Sequence, residues 1–302
     1  MIKKQKLRPN YYLLLFLLPA FLFVFIFNYI PMYGILIAFQ NYVPGDPIAS
    51  LNADWVGLFH FNAFLNDFRF TQLMLNTFIL SFLGFLIGFP LPIVIALLLN
   101  SMRSSKASKR LQTIFYAPHF ISVIVLVGML YLLFGEYGLI NNLVLAFGGE
   151  KTSYFLESSA FRSLFILSGN WQDFGWSAII YLAALSGVDP TLHEAAVVDG
   201  ASRFQRILHI DLPAIFPTIS VLLILSVGNL MGVGYEKVLL MQTGGNISVS
   251  EVISTYVYKT GLTGFPDFSY ATAIGLFNSA INVILLIFAN TMAKRFSENS
   301  LW

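Results

Sequence analysis

Not one Asp, Glu, Lys or Arg occurs between Tyr11 and Phe39, and none between Thr71 and Asn100. Such runs limit a chain more than any motif does. Hydrocarbon offers no water to backbone N–H and C=O groups, so an apolar run of about 20 residues spans it as a helix that bonds to itself. Six runs qualify: Tyr11 to Phe39, Thr71 to Asn100, Gln112 to Phe134, Phe161 to Leu185, Ala214 to Met241, and Ser269 to Ala293. The expectation is an all-α membrane protein of six transmembrane helices. Composition agrees. Of 302 residues, 57% are hydrophobic and 11% charged, against about 25% charged in soluble domains. A soluble fold would leave large apolar patches in water. Pro19, Gly84, Gly88, Pro90, Pro92, Gly228 and Gly232 fall inside the runs, where neighbouring helices can satisfy freed backbone groups and small residues allow close packing.

Basic residues set the orientation. Lys3, Lys4, Lys6 and Arg8 precede the first run. Arg103, Lys106, Lys109 and Arg110 follow the second, Arg203 and Arg206 follow the fourth, and Lys294 and Arg295 follow the sixth. Arg69, Lys151, Arg162, Lys237 and Lys259 fall in or near the other segments. The positive-inside rule then places both termini in the cytoplasm, N-in/C-in. The expected layout is a cytoplasmic N-terminus over 1–10, a membrane domain over 11–293 and a cytoplasmic tail over 294–302. The first run is too long for a signal-peptide core and is read as an uncleaved span.

Several chemistries are excluded by residue content. There is no Cys, so disulfides and thiolate sites are absent. His60, His119, His193 and His209 are too scattered to suggest a metal site. No G-x-x-x-x-G-K-[ST], G-x-S-x-G or H-E-x-x-H occurs. A net charge of +2 without a basic, aromatic-interleaved stripe gives no reason to expect nucleic acid.

The stretch "HEAAVVDGASRFQRILHIDLP", His193 to Pro213, is polar and helical between two apolar runs. Asp189 suits an N-cap and Pro190 a first helical position. Gly200 suits the left-handed residue that ends a helix, and Ser202 with Gln205 has capping-box spacing for a second one. Helices this short are marginal alone in water and need a docking surface. Ala195 and Ala196 allow close approach. Glu194 offers a charge, and Leu192, Val197, Phe204, Ile207 and Ile210 offer apolar anchors. Spacing alone leaves two surfaces open: another protein, or the chain's own bundle.

The same stretch resembles the EAA motif of permease subunits of ABC importers. That motif reads E-A-A, three residues, G, nine residues, I-x-L-P, and Glu194, Ala195, Ala196, Gly200, Ile210, Leu212 and Pro213 match it. A common Tyr before the Glu is replaced by His193. "NTFILSF", "YAPHFISVIVLVGML", "IIYLAALSGVDPTLHEAA", "GYEKVLLM" and "EVISTYVYKTGL" resemble the carbohydrate-importing branch related to maltose-system permeases, closest in look to oligosaccharide and polysaccharide permeases. The resemblance implies a type I ABC importer permease fold in a bacterial cytoplasmic membrane. It implies a cytoplasmic coupling loop over 189–213, a second permease forming a heterodimer with this one, and two ATP-binding subunits. It also implies an extracytoplasmic sugar-binding protein and an oligosaccharide substrate. The chain itself would carry no cofactor, with ATP and Mg on the partner subunits.

Asp173 is the one acidic residue well inside a run, where a charge costs roughly 2.5–3.5 kcal/mol on insertion scales. With Trp171, Gln172 and Trp176 it forms an aromatic and polar cluster suited to a sugar, or an interfacial Trp belt. Asn229, Tyr235 and Glu236, with Asn278 and Asn282, are weaker pathway candidates, and each also suits interhelical hydrogen bonding. Glu236 and Lys237 mark an outer interface, with Lys237 extended to water. A stand-alone secondary transporter would need ion-coupling groups at midplane and often an internal repeat, and neither is visible.

Overall fold

The computed structural model describes residues 11–48, 50, 53–296 and 300–302, apart from the side chains of 12, 13 and 296. The expected N-terminal segment 1–10, with its four basic residues, lies outside the described residues. Helix α1 (Tyr11–Val24) carries Pro19 inside it, widens into a π turn over Phe25–Tyr29, and tightens into a 3₁₀ stretch over Ile30–Phe39. Described residues up to Tyr29 are exposed, and this arm packs on the bundle chiefly through the 3₁₀ stretch, which lies against the last helix.

After α2 (Phe59–Leu65), α3 (Phe70–Gly88) runs into α4 (Pro90–Asn100). Phe89 keeps helical angles, and Pro90 begins the new segment, where its missing N–H costs least. The expected second span is thus one bent rod. The third is not. Ser104 caps α5 (Ser105–Tyr116), a 3₁₀ turn follows over Ala117–Phe120, and Ile121 is extended. Ser122 then caps α6 (Val123–Phe134), and α7 (Leu139–Ala146) follows a turn. Gln112–Phe134 is therefore two helices with a break. Pro118 lacks the N–H a continuous helix would use and clashes with the preceding turn.

Helix α8 (Ser158–Leu185) is the hub of the bundle, packing against α3, α4 and α5. It leads through Ser186–Asp189 into α9 (Pro190–Val198) and α10 (Arg203–Arg206). A π turn over Ile207–Asp211 feeds α11 (Leu212–Gly228). The expected fifth span also breaks. Residues 229–234 leave the helix before α12 (Tyr235–Met241), and α13 (Ile247–Ser250), α14 (Ile253–Leu262) and α15 (Phe268–Phe296) complete the chain. Helix α8 packs on α11, α12 and α13 as well.

Among the described residues, five tracts are long and apolar enough to cross a membrane: Leu14–Phe39, Phe70–Asn100, Val123–Ala146, Arg203–Gly228 and Phe268–Arg295. Helix α8 has 28 residues, about 42 Å at about 1.5 Å per residue. Its Arg162, Asn170, Gln172 and Asp173 keep it out of that set. Two of these turn to protein, Arg162 donating to Asn76 at 3.3 Å and Gln172 being buried, and polarity met by protein costs less.

Packing concentrates at the two ends of α8. At one end Phe161 and Ile166 meet Leu80, Val127 and Met241. At the other, Ala178, Tyr181 and Leu185 meet Ala96, Leu97 and Ile215. Gly175 lets α5 and α8 touch, since a Cβ there would lie 2.0 Å from the Phe115 carbonyl oxygen. Burial without polar cost then rests on van der Waals contact between close backbones.

Candidate functional site

The loop between α8 and α11 folds by local chemistry. The Asp189 carboxylate accepts from the Thr191 N–H at 2.9 Å, capping α9 with Pro190 in first place. Hydrogen bonds from Thr191 hold the Asp189 carboxyl below the usual carboxylate range. At the other end Gly200 has φ +81°. There the Ala201 N–H donates to the Ala196 carbonyl at 2.8 Å and the Gly200 N–H to Val197 at 3.1 Å, a left-handed helix stop that a Cβ would strain. The capping box is present in both directions. The Gln205 N–H donates to Ser202 Oγ at 3.3 Å, and the Ser202 N–H donates to Gln205 Oε1 at 2.7 Å.

No residue of α9 is buried. Glu194 and Ala195 are exposed, Ala196 half-buried, and Val198 and Phe204 stand 87% and 71% exposed. Further along, Ile210 and Leu212 are half-buried and Pro213 is exposed. One face nevertheless touches the bundle. His193 Nε2 lies 3.2 Å from Asp211 Oδ1, and Asn100 Nδ2 donates to the same oxygen at 3.3 Å. The buried Asp211 thereby joins the loop to the ends of α4 and α11. Both docking surfaces weighed from the sequence are in use or on offer: the His193 face lies on the bundle, and the Glu194, Val198 and Phe204 side lies open.

Between α3, α8, α11 and the break after α11 lies a cavity of about 870 Å³. Trp176 and Asn229 line it, with Ser81, Ser177 and Ser226 as further polar groups. The remaining pathway candidates do not converge there. Trp171 lines a separate cavity of about 550 Å³ between α6 and α8. Gln172 is buried and donates to the Ile121 carbonyl at 2.6 Å, stitching α8 to the break before α6. Tyr235 stacks on Tyr258, with centroids 5.0 Å apart.

Asp173 takes a partner not foreseen from the sequence. His119 Nδ1 lies 3.0 Å from its Oδ1, and the His119 ring stacks on Trp176 at 4.5 Å and 6°. The Asp173 side chain is 61% exposed within this chain. Open space, not this chain's core, therefore surrounds the carboxylate. Lys237 corrects another expectation. It turns inward, donating to the Phe165 carbonyl at 2.9 Å with its ammonium over the Phe165 ring, because its helix is the short segment beyond a break and packs against α8. Asn278 and Asn282 make the expected interhelical bonds. Asn278 Nδ2 donates to the Met231 carbonyl at 3.2 Å, and the Met231 N–H donates to Asn282 Oδ1 at 2.9 Å. They supply partners to backbone groups that the break releases, the condition for irregular backbone at membrane depth.

Comparison with known proteins agrees with this geometry. The family model described as "Binding-protein-dependent transport system inner membrane component" matches residues 88–298. The chain is 44% identical over 298 residues to the polygalacturonan/rhamnogalacturonan transport system permease protein YteP of Bacillus subtilis, covering 98% of this chain and 92% of the relative. Protein LplB of the same organism is 40% identical over 297 residues, covering 98% and 92%. A chain from the crystal structure of a bacterial alginate ABC transporter, in complex with alginate pentasaccharide-bound periplasmic protein, superposes with a TM-score of 0.86. It is 35% identical and covers 97% of each chain.

Proposed function

Because the chain belongs to the family of binding-protein-dependent transport system inner membrane components, we propose that it is one permease subunit of an ATP-driven importer of an oligosaccharide. It works in the bacterial cytoplasmic membrane with six spans and both termini inside. Its partners are a second permease, two ATP-hydrolysing subunits and an extracytoplasmic sugar-binding protein. The sugar class rests on the relatives, which are named for transport of polygalacturonan and rhamnogalacturonan and for alginate.

One observation carries the reading: α9 stands at the end of the bundle with no buried residue, yet it is fastened through His193 to Asp211. An exposed α9 presenting Glu194 and Val198, with Phe204 exposed beside it on α10, is suited to being gripped from outside. The chain that leaves α9 on either side enters a cavity wall. Helix α8 brings Trp176 and Ser177, and α11 brings Ser226 and ends at Asn229. A push on α9 thus reaches both walls through continuous backbone. Closure of the ATP-hydrolysing pair would move the loop, tilt α8 against α11 and open the path to the sugar. The relay needs a rigid, bistable element rather than a flexible link, and the caps on α9 and α10 supply the rigidity.

Glu194→Ala is expected to uncouple ATP hydrolysis from uptake in vesicles, with membrane insertion unchanged. Normal import by this variant removes the coupling role. Asp173→Asn weakens the contact to His119 and with it the seating of Trp176. It is expected to change uptake or sugar preference while leaving assembly intact, and an unchanged uptake profile would reduce Trp176 and Asp173 to packing.

A further inference from the structure

Between the end of α4 and the loop lies a cleft of about 420 Å³, walled in part by Pro190, His193 and Asp211, whose arginines no step above uses. Its wall is cationic: Arg103 comes from the turn after α4, and Arg203 and Arg206 come from α10. Asp211 is its acidic member and is already engaged by His193 and Asn100. Among the described residues, no carboxylate lies within ion-pair distance of these arginines. Arg206 Nε is buried and, among the described residues, has no hydrogen-bond acceptor. A buried guanidinium N–H without an acceptor is costly. The guanidinium fork matches the oxygens of a phosphate better than any neutral group does.

We propose that this cleft binds a phosphate group, and that its place in the bundle selects the headgroup of an anionic phospholipid. Arg103 follows the apolar tract Phe70–Asn100 and Arg203 opens the tract Arg203–Gly228, so both stand at tract ends, where a spanning helix would meet headgroups. Exposed apolar side chains on the adjoining helices, Val94 and Leu98 on α4 and Phe216 on α11, offer the acyl chains a surface. Basic pockets between spans at this level are suited to such headgroups. A bound phosphate offsets the mutual repulsion of the arginines next to the His193–Asp211 contact, and so steadies the loop where it meets the bundle. The inference goes beyond transport and does not depend on which sugar passes.

The test uses the whole transporter with its partner subunits in nanodiscs of phosphatidylcholine, with or without phosphatidylglycerol. Native mass spectrometry reads the lipid retained after extraction, and calorimetry reads inorganic phosphate titrated into the phosphatidylcholine discs. Wild type is expected to retain phosphatidylglycerol over phosphatidylcholine. Arg206→Gln is expected to weaken that retention on the order of tenfold, the loss of one charge-assisted hydrogen bond. Arg103→Gln, on an exposed turn, gives the same reading should Arg206→Gln fail to assemble. A phosphate signal without lipid preference supports the site and moves the source to a soluble phosphate compound. Equal retention by wild type and both variants, with no calorimetric signal, overturns the proposal. So does loss of the ATP-hydrolysing subunits from the variants with retention unchanged, which would make the arginines part of a protein interface.

Discussion

At the end of the bundle opposite the loop, Asp67 gathers the start of α3 with α14 and α15. Its carboxylate accepts from the Arg69 N–H at 2.8 Å, from the Tyr256 hydroxyl at 2.8 Å and from the Tyr270 hydroxyl at 3.2 Å. Burial pushes the Asp67 carboxyl up, but the hydrogen bonds from Arg69 and Tyr256 outweigh it and hold the group below the usual range. Ionised Asp67 therefore contributes stability above the unfolded carboxylate value, about 3.9. That contribution is lost as pH falls through the lower folded value. Between pH 5 and pH 8 its contribution should be flat. Asp67→Ala leaves the buried Tyr256 hydroxyl without this acceptor and is expected to cost about 1–3 kcal/mol, read as a lower thermal midpoint of the solubilised transporter at pH 7. An unchanged midpoint would contradict this account. The sequence could not reveal such a contact, since Asp67 and Tyr256 are 189 positions apart. His119 and Asp173 hid in the same way, 54 positions apart. Asp189, Gly200, Ser202 and Gln205 were legible because each bonds within five residues of itself, where spacing alone decides the geometry.

Apolar runs located the long elements and concealed their breaks. Pro118 sat inside the third run as a visible signal, but a hydropathy average over a whole span absorbs a single Pro and does not ask where an N–H goes. The break at 229–234 was marked by Asn229, Gly232 and Gly234. It became interpretable only once α15 was seen to supply Asn278 and Asn282. Asn282→Ala removes the acceptor from the Met231 N–H and is expected to destabilise the fold by about 0.6–1.7 kcal/mol, the range for interhelical polar contacts in membranes. Denaturant unfolding in mixed micelles measures it, and a loss near zero would mean that this N–H finds another partner. Helix α8 shows the converse effect. Its polarity hides it from a purely apolar criterion, although Gly175, Ala178 and Tyr181 pack it deep among its neighbours. Hydropathy averages all faces of a helix, and the polar groups on α8 that bond to protein lower the average.

On the scale of the molecule, an exposed helix at one end is joined by unbroken backbone to two walls of a cavity. On one side the connection is Ser186–Asp189; on the other it is the Gly200 turn, α10 and the π turn over Ile207–Asp211. The fold and the loop were readable from one chain because the loop's chemistry is local and the spans are long. The cavity was not, because its walls come from helices distant in sequence. The central claim is that α9 is held by a nucleotide-hydrolysing partner. Because the chain has no Cys, a single cysteine at Ala195 gives an unambiguous label. In the assembled transporter, Ala195→Cys should crosslink to the ATP-hydrolysing subunit with a yield that changes on ATP binding. Crosslinks confined to this chain's own helices, the same with and without ATP, would contradict it.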